Sequence, residues 1–254
     1  LIFYVKIGIS TSMKLIDTHA HLDQIRSLDD AISRAKSIGI TAIVAVGMNQ
    51  KSNQKILQIS ESYDGFVFVA LGMHPFSIDS DLKKSLDFIR NNIKNSVAVG
   101  EIGLDYLLSA DRAFQKKVFK ELLKIALEYE KPVIVHTRGE GSHSDALAIL
   151  RDFGVKRAVF HWYSGPLEIL KDILSFGYCV SATPSIVERE EHRSAIKIVS
   201  LDKLMLETDS PAKGYEPVDL VKALSYVSKL KGTTEEKLAE YTTNNALKFF
   251  EIDI

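Results

Sequence analysis

The sequence predicts an α/β fold of one particular kind, a TIM-like (β/α)8 barrel built as a single domain. Three observations lead there. The chain is 254 residues long, close to the length at which one barrel closes and one hydrophobic core stops growing. Short β-branched runs alternate with longer segments of helical period, the signature of a parallel sheet covered by helices. Eight such runs can be counted, which favours a closed sheet over an open, doubly wound one.

In chain order the predicted strands are Leu15 to Asp17, Thr41 to Val46, Phe66 to Leu71, Val97 to Gly100, Val133 to Val135, Ala158 to Phe160, Tyr178 to Ser181 and Leu204 to Leu206. Between them, Ala113 to Tyr129 carries Phe114, Val118, Phe119, Leu122, Ile125 and Ala126 at helical spacing. Asp111 or Ser109 offers its N-cap, and Lys131-Pro132 ends it. Asp145 to Phe153, Pro166 to Phe176, Glu188 to Val199 and Pro217 to Leu230 read as further helices. Thr233-Thr234-Glu235-Glu236 predicts another helix start, and Thr242 or Thr243 is expected to open a separate last helix running into Phe249-Phe250. No Gly-rich nucleotide fingerprint follows the first strand, which counts against a dinucleotide-binding sheet.

Lysine plus arginine number 32 against 33 aspartate plus glutamate, so no bulk attraction to nucleic acid or to an anionic membrane is expected, and any polyanion must be gripped locally. The one cysteine, Cys179, excludes an intramolecular disulfide and a cysteine-clustered zinc site, and its apolar neighbours predict a buried, inert thiol. Residues 1–12 have no basic leader or cleavage site and read as an N-terminal extension of a working domain spanning 13–254. No run is long and apolar enough to span a membrane. The expected address is the cytoplasm, and nothing calls for an obligate protein partner.

In a parallel barrel, chemistry is carried at the carboxyl ends of the strands. Asp17, His19 and His21 follow the first predicted strand, Glu101 the fourth, His136 the fifth, His161 the sixth and Asp209 the eighth, while His74 lies in the loop after the third. The spacing of His19 and His21 puts both imidazoles on one side of an extended segment. Four of the 7 histidines fall directly at strand ends. Each alone reads as a hydrogen-bonded structural residue. Together, His19, His21, Glu101, His136, His161 and Asp209 form a cluster whose burial is costly without a cation to compensate it. Imidazole with carboxylate suits divalent zinc, manganese, nickel or cobalt, with magnesium also admissible. One cation rarely takes six protein ligands and keeps an open position, so two divalent metal ions per chain are expected, with Glu101 bridging them. Asp17 and Glu207 share strand-side parity with His19 and Asp209 and are read as groups that orient ligands from behind.

These residues lie in Asp17-Thr18-His19-Ala20-His21-Leu22-Asp23, Gly72-Met73-His74-Pro75, the segment from Val99 to Tyr106, Pro132 to Arg138, Phe160 to Gly165 and Leu206-Glu207-Thr208-Asp209-Ser210-Pro211. In that order, over nearly the whole chain, they resemble the TatD family of metal-dependent deoxyribonucleases within the amidohydrolase-like group of barrels. The resemblance implies that His19, His21, Glu101 and Asp209 hold one ion, and Glu101, His136 and His161 the other. The chain departs from the family in an abbreviated stretch from Asp209 to Pro217 and in the segment from Arg138 to His143. Both border the expected pocket, so the resemblance bears on metal chemistry more than on substrate.

The expected function is metal-assisted hydrolysis of a phosphodiester, with DNA or another phosphodiester as substrate. Glu101 and Asp209 are the expected catalytic carboxylates, Asp209 as ligand or as general base. His74 and Arg138 are expected to contact substrate phosphates. Arg189, His192 and Lys213 are weaker candidates, each readable as a solvated loop charge. Trp162 and Tyr163 either stack on a base or cover the barrel rim. An amidase or lactonase would use the same ions on a carbonyl. Many such barrels, however, carry a carbamylated lysine on strand four, where this chain has Glu101. A non-catalytic nucleic-acid-binding protein with a structural ion is a further alternative, which the near-neutral charge and the excess of donors oppose.

Overall fold

The computed structural model describes residues 13–78 and 82–254. The expected extension at 1–12 lies outside the described residues. Eight parallel strands follow one another in sequence order around the sheet: β1 (Leu15–Ala20), β2 (Ile40–Val46), β3 (Val67–Leu71), β4 (Ala98–Asp105), β5 (Val133–Arg138), β6 (Ala158–Phe160), β7 (Cys179–Ala182) and β8 (Leu204–Leu206). A parallel bridge between Ala20 and Ser210 joins the two ends of the sheet. The connecting helices are α1 (Leu28–Ser37), α2 (Gln50–Ser62), α3 (Leu82–Asn92), α4 (Arg112–Glu128), α5 (Ser142–Asp152), α6 (Leu167–Ser175), α7 (Glu190–Ile198) and α8 (Leu220–Lys231), with α9 (Glu235–Phe250) after them. No helix among the described residues is long and apolar enough to cross a membrane.

The apolar residues divide into two layers. Leu15, Ile43, Val69, Val99, Val133 and Phe160 face outward and pack against the helices. Ile16, Ala42, Val44, Ala70, Ala98, Ile134 and Met205 fill the interior together with Ala246, Phe249 and Phe250 of α9, which plug the amino-terminal end of the barrel. The alternation of Ala42, Ile43 and Val44 between these layers is the period-two pattern of a strand buried on both faces. One end of the barrel is thus sealed by hydrocarbon, and the polar residues collect at the other.

Two boundaries differ from the sequence expectation in ways that matter. β1 continues through His19, β4 through Glu101 to Asp105, and β5 through His136 to Arg138, so these residues sit on strands, not in the loops beyond. Polar side chains extend a strand here because they have partners at the barrel mouth. The two separate C-terminal helices expected on either side of Thr242 and Thr243 are instead the single helix α9. Thr242 Oγ1 donates back to Leu238 O at 3.0 Å, and Thr243 Oγ1 donates to Lys14 O at 2.7 Å. Both hydroxyls are satisfied without breaking the helix.

Candidate metal centre

The sheet is irregular where the donors sit. Register breaks fall between Asp17 and Ala20 on β1 and between Val99 and Ile102 on β4, the stretches that carry His19 and Glu101. A bulge re-aims a side chain that regular alternation would bury in the barrel. β4 also passes unusually close to β5. Gly103 has φ +149°, and a Cβ there would stand 2.0 Å from His136 O. Glycine at this position is what allows Glu101 and His136 to meet.

The two carboxylate oxygens of Glu101 face two groups of donors. Oε2 lies 3.4 Å from His19 Nε2 and 3.5 Å from His21 Nε2. Asp209 Oδ1 lies 3.5 and 3.3 Å from the same two nitrogens, which are 3.3 Å apart. Around a tetrahedral cation with bonds of about 2.0–2.2 Å, neighbouring ligand atoms stand roughly 3.3–3.6 Å apart. The separations in this first group match that edge length. On the other side, Oε1 is 2.7 Å from both His136 Nδ1 and His161 Nε2, which are 3.2 Å apart. This second group is drawn together by hydrogen bonds, and its donor chemistry of two imidazoles and a carboxylate is equally suited to a divalent ion. The residues present therefore fit the metal that the sequence implies.

Electrostatics lead to the same place. Burial opposes ionisation of Glu101, yet the His161 charge and the hydrogen bond from His136 hold its carboxyl well below the usual range. Burial also disfavours imidazolium at His21, but Asp209 and Glu101 outweigh it and raise the pKa to about 9. His161 and His136 are raised for the same reason, against burial, by Glu101 together with Glu207 and Asp105 respectively. Buried carboxylates here demand positive charge, and protons compete with a cation to supply it.

His74 behaves differently. Its Nδ1 accepts the Phe76 backbone N–H at 3.1 Å, so the neutral ring carries its proton on Nε2, which faces Glu101 Oε1 at 3.6 Å. Burial, reinforced by the charges of His136 and His161, pushes its pKa down to about 3. Although it lies within reach of a metal group with Glu101 and His136, this tautomer presents a donor, not a lone pair.

Behind the donors stand the orienting groups. His21 Nδ1 bonds Val46 O at 2.9 Å, which leaves Nε2 facing the site. Glu207 Oε1 lies 3.4 Å from His161 Nδ1 without hydrogen-bond geometry, and it accepts the Trp162 N–H at 2.8 Å. Asp17 acts on backbone instead. Its carboxylate takes the Thr208 N–H at 2.9 Å, the Thr208 hydroxyl at 2.6 Å and the His19 N–H at 3.3 Å, fastening β1 to the segment after β8. Burial raises its pKa to about 7.

The sequence reading assigns no role to three residues in this layer. Asp105 Oδ2 lies 3.4 Å from His136 Nε2, on the side of the ring away from Glu101. Gln115 of α4 grips the backbone of Asp105 twice, its Oε1 accepting from N–H at 2.8 Å and its Nε2 donating to the carbonyl at 2.9 Å. Asn53 of α2 grips Gly72 in the same way, at 3.1 and 2.8 Å, just before the loop that carries His74. Asp105 lies within the strand-four motif from Val99 to Tyr106, but nothing local marks the two amides.

Five of the donors, His21, Glu101, His136, His161 and Asp209, line a cavity of about 560 Å3 together with Met48, Phe76, Leu108, Arg138, Trp162, Arg189 and Lys213, and His19 is buried behind them. Arg138 is exposed at its rim, 4.0 Å from Asp105 Oδ2, and Lys213 is paired with Glu188 at 2.9 Å. His192, considered for phosphate contact, is instead fully buried. It donates from Nδ1 to Tyr163 O at 2.7 Å and accepts the Thr183 N–H at 3.1 Å. Tyr163 is likewise buried, its hydroxyl donating to Pro166 O at 2.7 Å. Cys179 is partly buried and its thiol is pushed up to about 11 by that burial, so the inert reading holds although full burial does not.

The chain is similar to known proteins over nearly its whole length. Human deoxyribonuclease TATDN3 is 32% identical over 260 residues, covering 93% of this chain and 94% of its own. The metal-dependent hydrolase YabD of Bacillus subtilis is 28% identical over 257 residues, covering 94% and 100%. The crystal structure of YJJV, a TatD homologue from Escherichia coli K12, superposes with a TM-score of 0.85 at 26% identity, covering 94% of this chain and 98% of that one. The family described as TatD related DNase matches residues 16–251, and the chain belongs to that family of metal-dependent hydrolases.

Proposed function

We propose that this hydrolase cleaves phosphodiester bonds of DNA, using two divalent ions held by His19, His21, Glu101 and Asp209 on one side and by Glu101, His136 and His161 on the other. The observation that carries the reading is the single carboxylate of Glu101, each oxygen of which faces its own set of nitrogen and oxygen donors on the floor of an open cavity. Divalent ions in these positions supply Lewis acidity toward water and offset the charge that develops on a phosphoryl group. The remaining work belongs to the chain. Asp209, beside both histidines of the first group, accepts the proton released from the attacking water. His74 donates from Nε2 to a phosphoryl oxygen, a role its neutral tautomer and low pKa support. Arg138, Arg189 and Lys213 line the cavity and supply the local grip that a chain of near-zero net charge lacks as a whole. The name of the human relative, deoxyribonuclease TATDN3, favours DNA over other phosphodiesters.

The test is a panel assay of metal-loaded protein on single-stranded DNA, double-stranded DNA, a small aryl phosphodiester and acyl amides, with elemental analysis of the same sample. Phosphodiester turnover that a chelator abolishes is expected. Amide turnover without phosphodiester turnover would overturn the proposal.

A further inference from the structure

The hydrolytic reading assigns no task to the aromatic wall of the cavity. The chain has a single tryptophan, Trp162, immediately after the donor His161. Its backbone is left-handed, with φ +43°, a conformation that bulky residues seldom adopt. Two buried acceptors hold it there: the Trp162 N–H donates to Ser181 Oγ at 3.0 Å and to Glu207 Oε1 at 2.8 Å. The consequence is a sorting of neighbours. Tyr163 turns into the core, while the indole lines the cavity and stays partly exposed. The Arg189 guanidinium stands 5.7 Å from its ring centroid and lines the same cavity.

A flat π surface with an exposed cation over one of its faces, beside a phosphate-directed cluster, matches what a nucleotide presents, a planar base one sugar away from its phosphate. A strained backbone maintained by two buried partners fits a side chain that is placed for binding. We infer that Trp162, flanked by Arg189, is a base subsite: the indole stacks on the nucleobase next to the scissile phosphodiester. This rests on the phosphodiester reading above and narrows it to substrates that carry a base at that position.

The lone tryptophan reports on itself. The protein as purified is titrated with thymidine 5′-monophosphate and with deoxyribose 5-phosphate under selective tryptophan excitation. Saturable quenching by the nucleotide, with little by the sugar phosphate, is expected. In parallel, cleavage of a dinucleotide is compared with that of an analogue in which tetrahydrofuran replaces the nucleoside. Stacking on one aromatic ring is worth roughly 5- to 150-fold. Trp162→Ala should shrink the kcat/KM advantage of the dinucleotide over the analogue by that order, and Trp162→Phe should restore most of it. Equal quenching by both ligands, or an unchanged advantage in Trp162→Ala, overturns the subsite. If the parent cleaves neither compound, the phosphodiester reading fails and the placement beside a scissile bond falls with it, while base-dependent quenching would still show that the indole binds a base and equal quenching would show that it does not.

Discussion

Glu101 is the residue on which both donor groups depend, because its Oε2 faces His19 and His21 while its Oε1 faces His136 and His161. Asp209 faces only the first pair. Their substitutions should therefore differ in kind. Glu101→Gln is expected to lose metal from both groups and activity to background, whereas Asp209→Asn should retain metal at the His136 and His161 side. Elemental analysis after gel filtration measures this, and equal metal content in the two variants would contradict the bridging role. Asp105 acts one step further back, on the far nitrogen of His136. Removing a carboxylate behind a ligating histidine typically costs about 10–100-fold in metal affinity or activity. Asp105→Asn should fall in that range, with added metal recovering much of the loss.

At the scale of elements, two helices reach across to the strand ends that carry chemistry. Gln115 of α4 ties the end of β4, and Asn53 of α2 ties the segment after β3, each through a pair of buried hydrogen bonds to backbone. Gln115→Leu strands the N–H and C=O of Asp105, at about 1–3 kcal/mol for each unsatisfied group. For a chain of this size about 2–4 °C of melting temperature is lost per kcal/mol. A thermal melt should show a clear drop, accompanied by weaker metal binding as Asp105 loosens. A melt unchanged within error would mean that water replaces the amide. These two residues also mark where sequence reading stops. His19, Glu101, His136, His161 and Asp209 were legible because a donor just after a hydrophobic run is a local pattern. A carboxamide on a helix is not, since its partners lie 10 and 19 residues away and are backbone atoms of any residue type. α1 to α3 were not singled out either, although their apolar residues are periodic. In α3, Leu82, Leu86 and Ile89 do recur at spacings of four and three and pack on the core, but the signal covers barely three turns between two charged stretches.

At the scale of the whole molecule, the barrel has one apolar end, closed by Phe249 and Phe250, and one ionisable end, and these respond to different perturbations. Phe250→Ala should destabilise by about 3–5 kcal/mol, the cost of removing a buried aromatic ring, while the folded fraction keeps the parental metal content. Urea unfolding and elemental analysis separate the two quantities.

Acid should act on the other side of the barrel, through histidines that are buried without carboxylate partners. Burial lowers both His143 and His192 to about 4 from 6.5. Between those values the unfolded chain binds a proton that the folded chain refuses. Stability contributed by the neutral rings is therefore complete above about pH 6.5 and is lost as pH falls toward 4, by up to about 3 kcal/mol for a fully buried ring. The donors in the cavity titrate too, so the difference between two proteins is the cleaner quantity. His192→Gln keeps a neutral group that can both donate toward Tyr163 O and accept from Thr183 N–H, the partners His192 now has. Whatever the variant costs at pH 7.5, that cost should shrink by up to about 3 kcal/mol as both proteins are unfolded in urea at successively lower pH toward 4. A constant difference across the range would show that His192 is not held neutral by the fold.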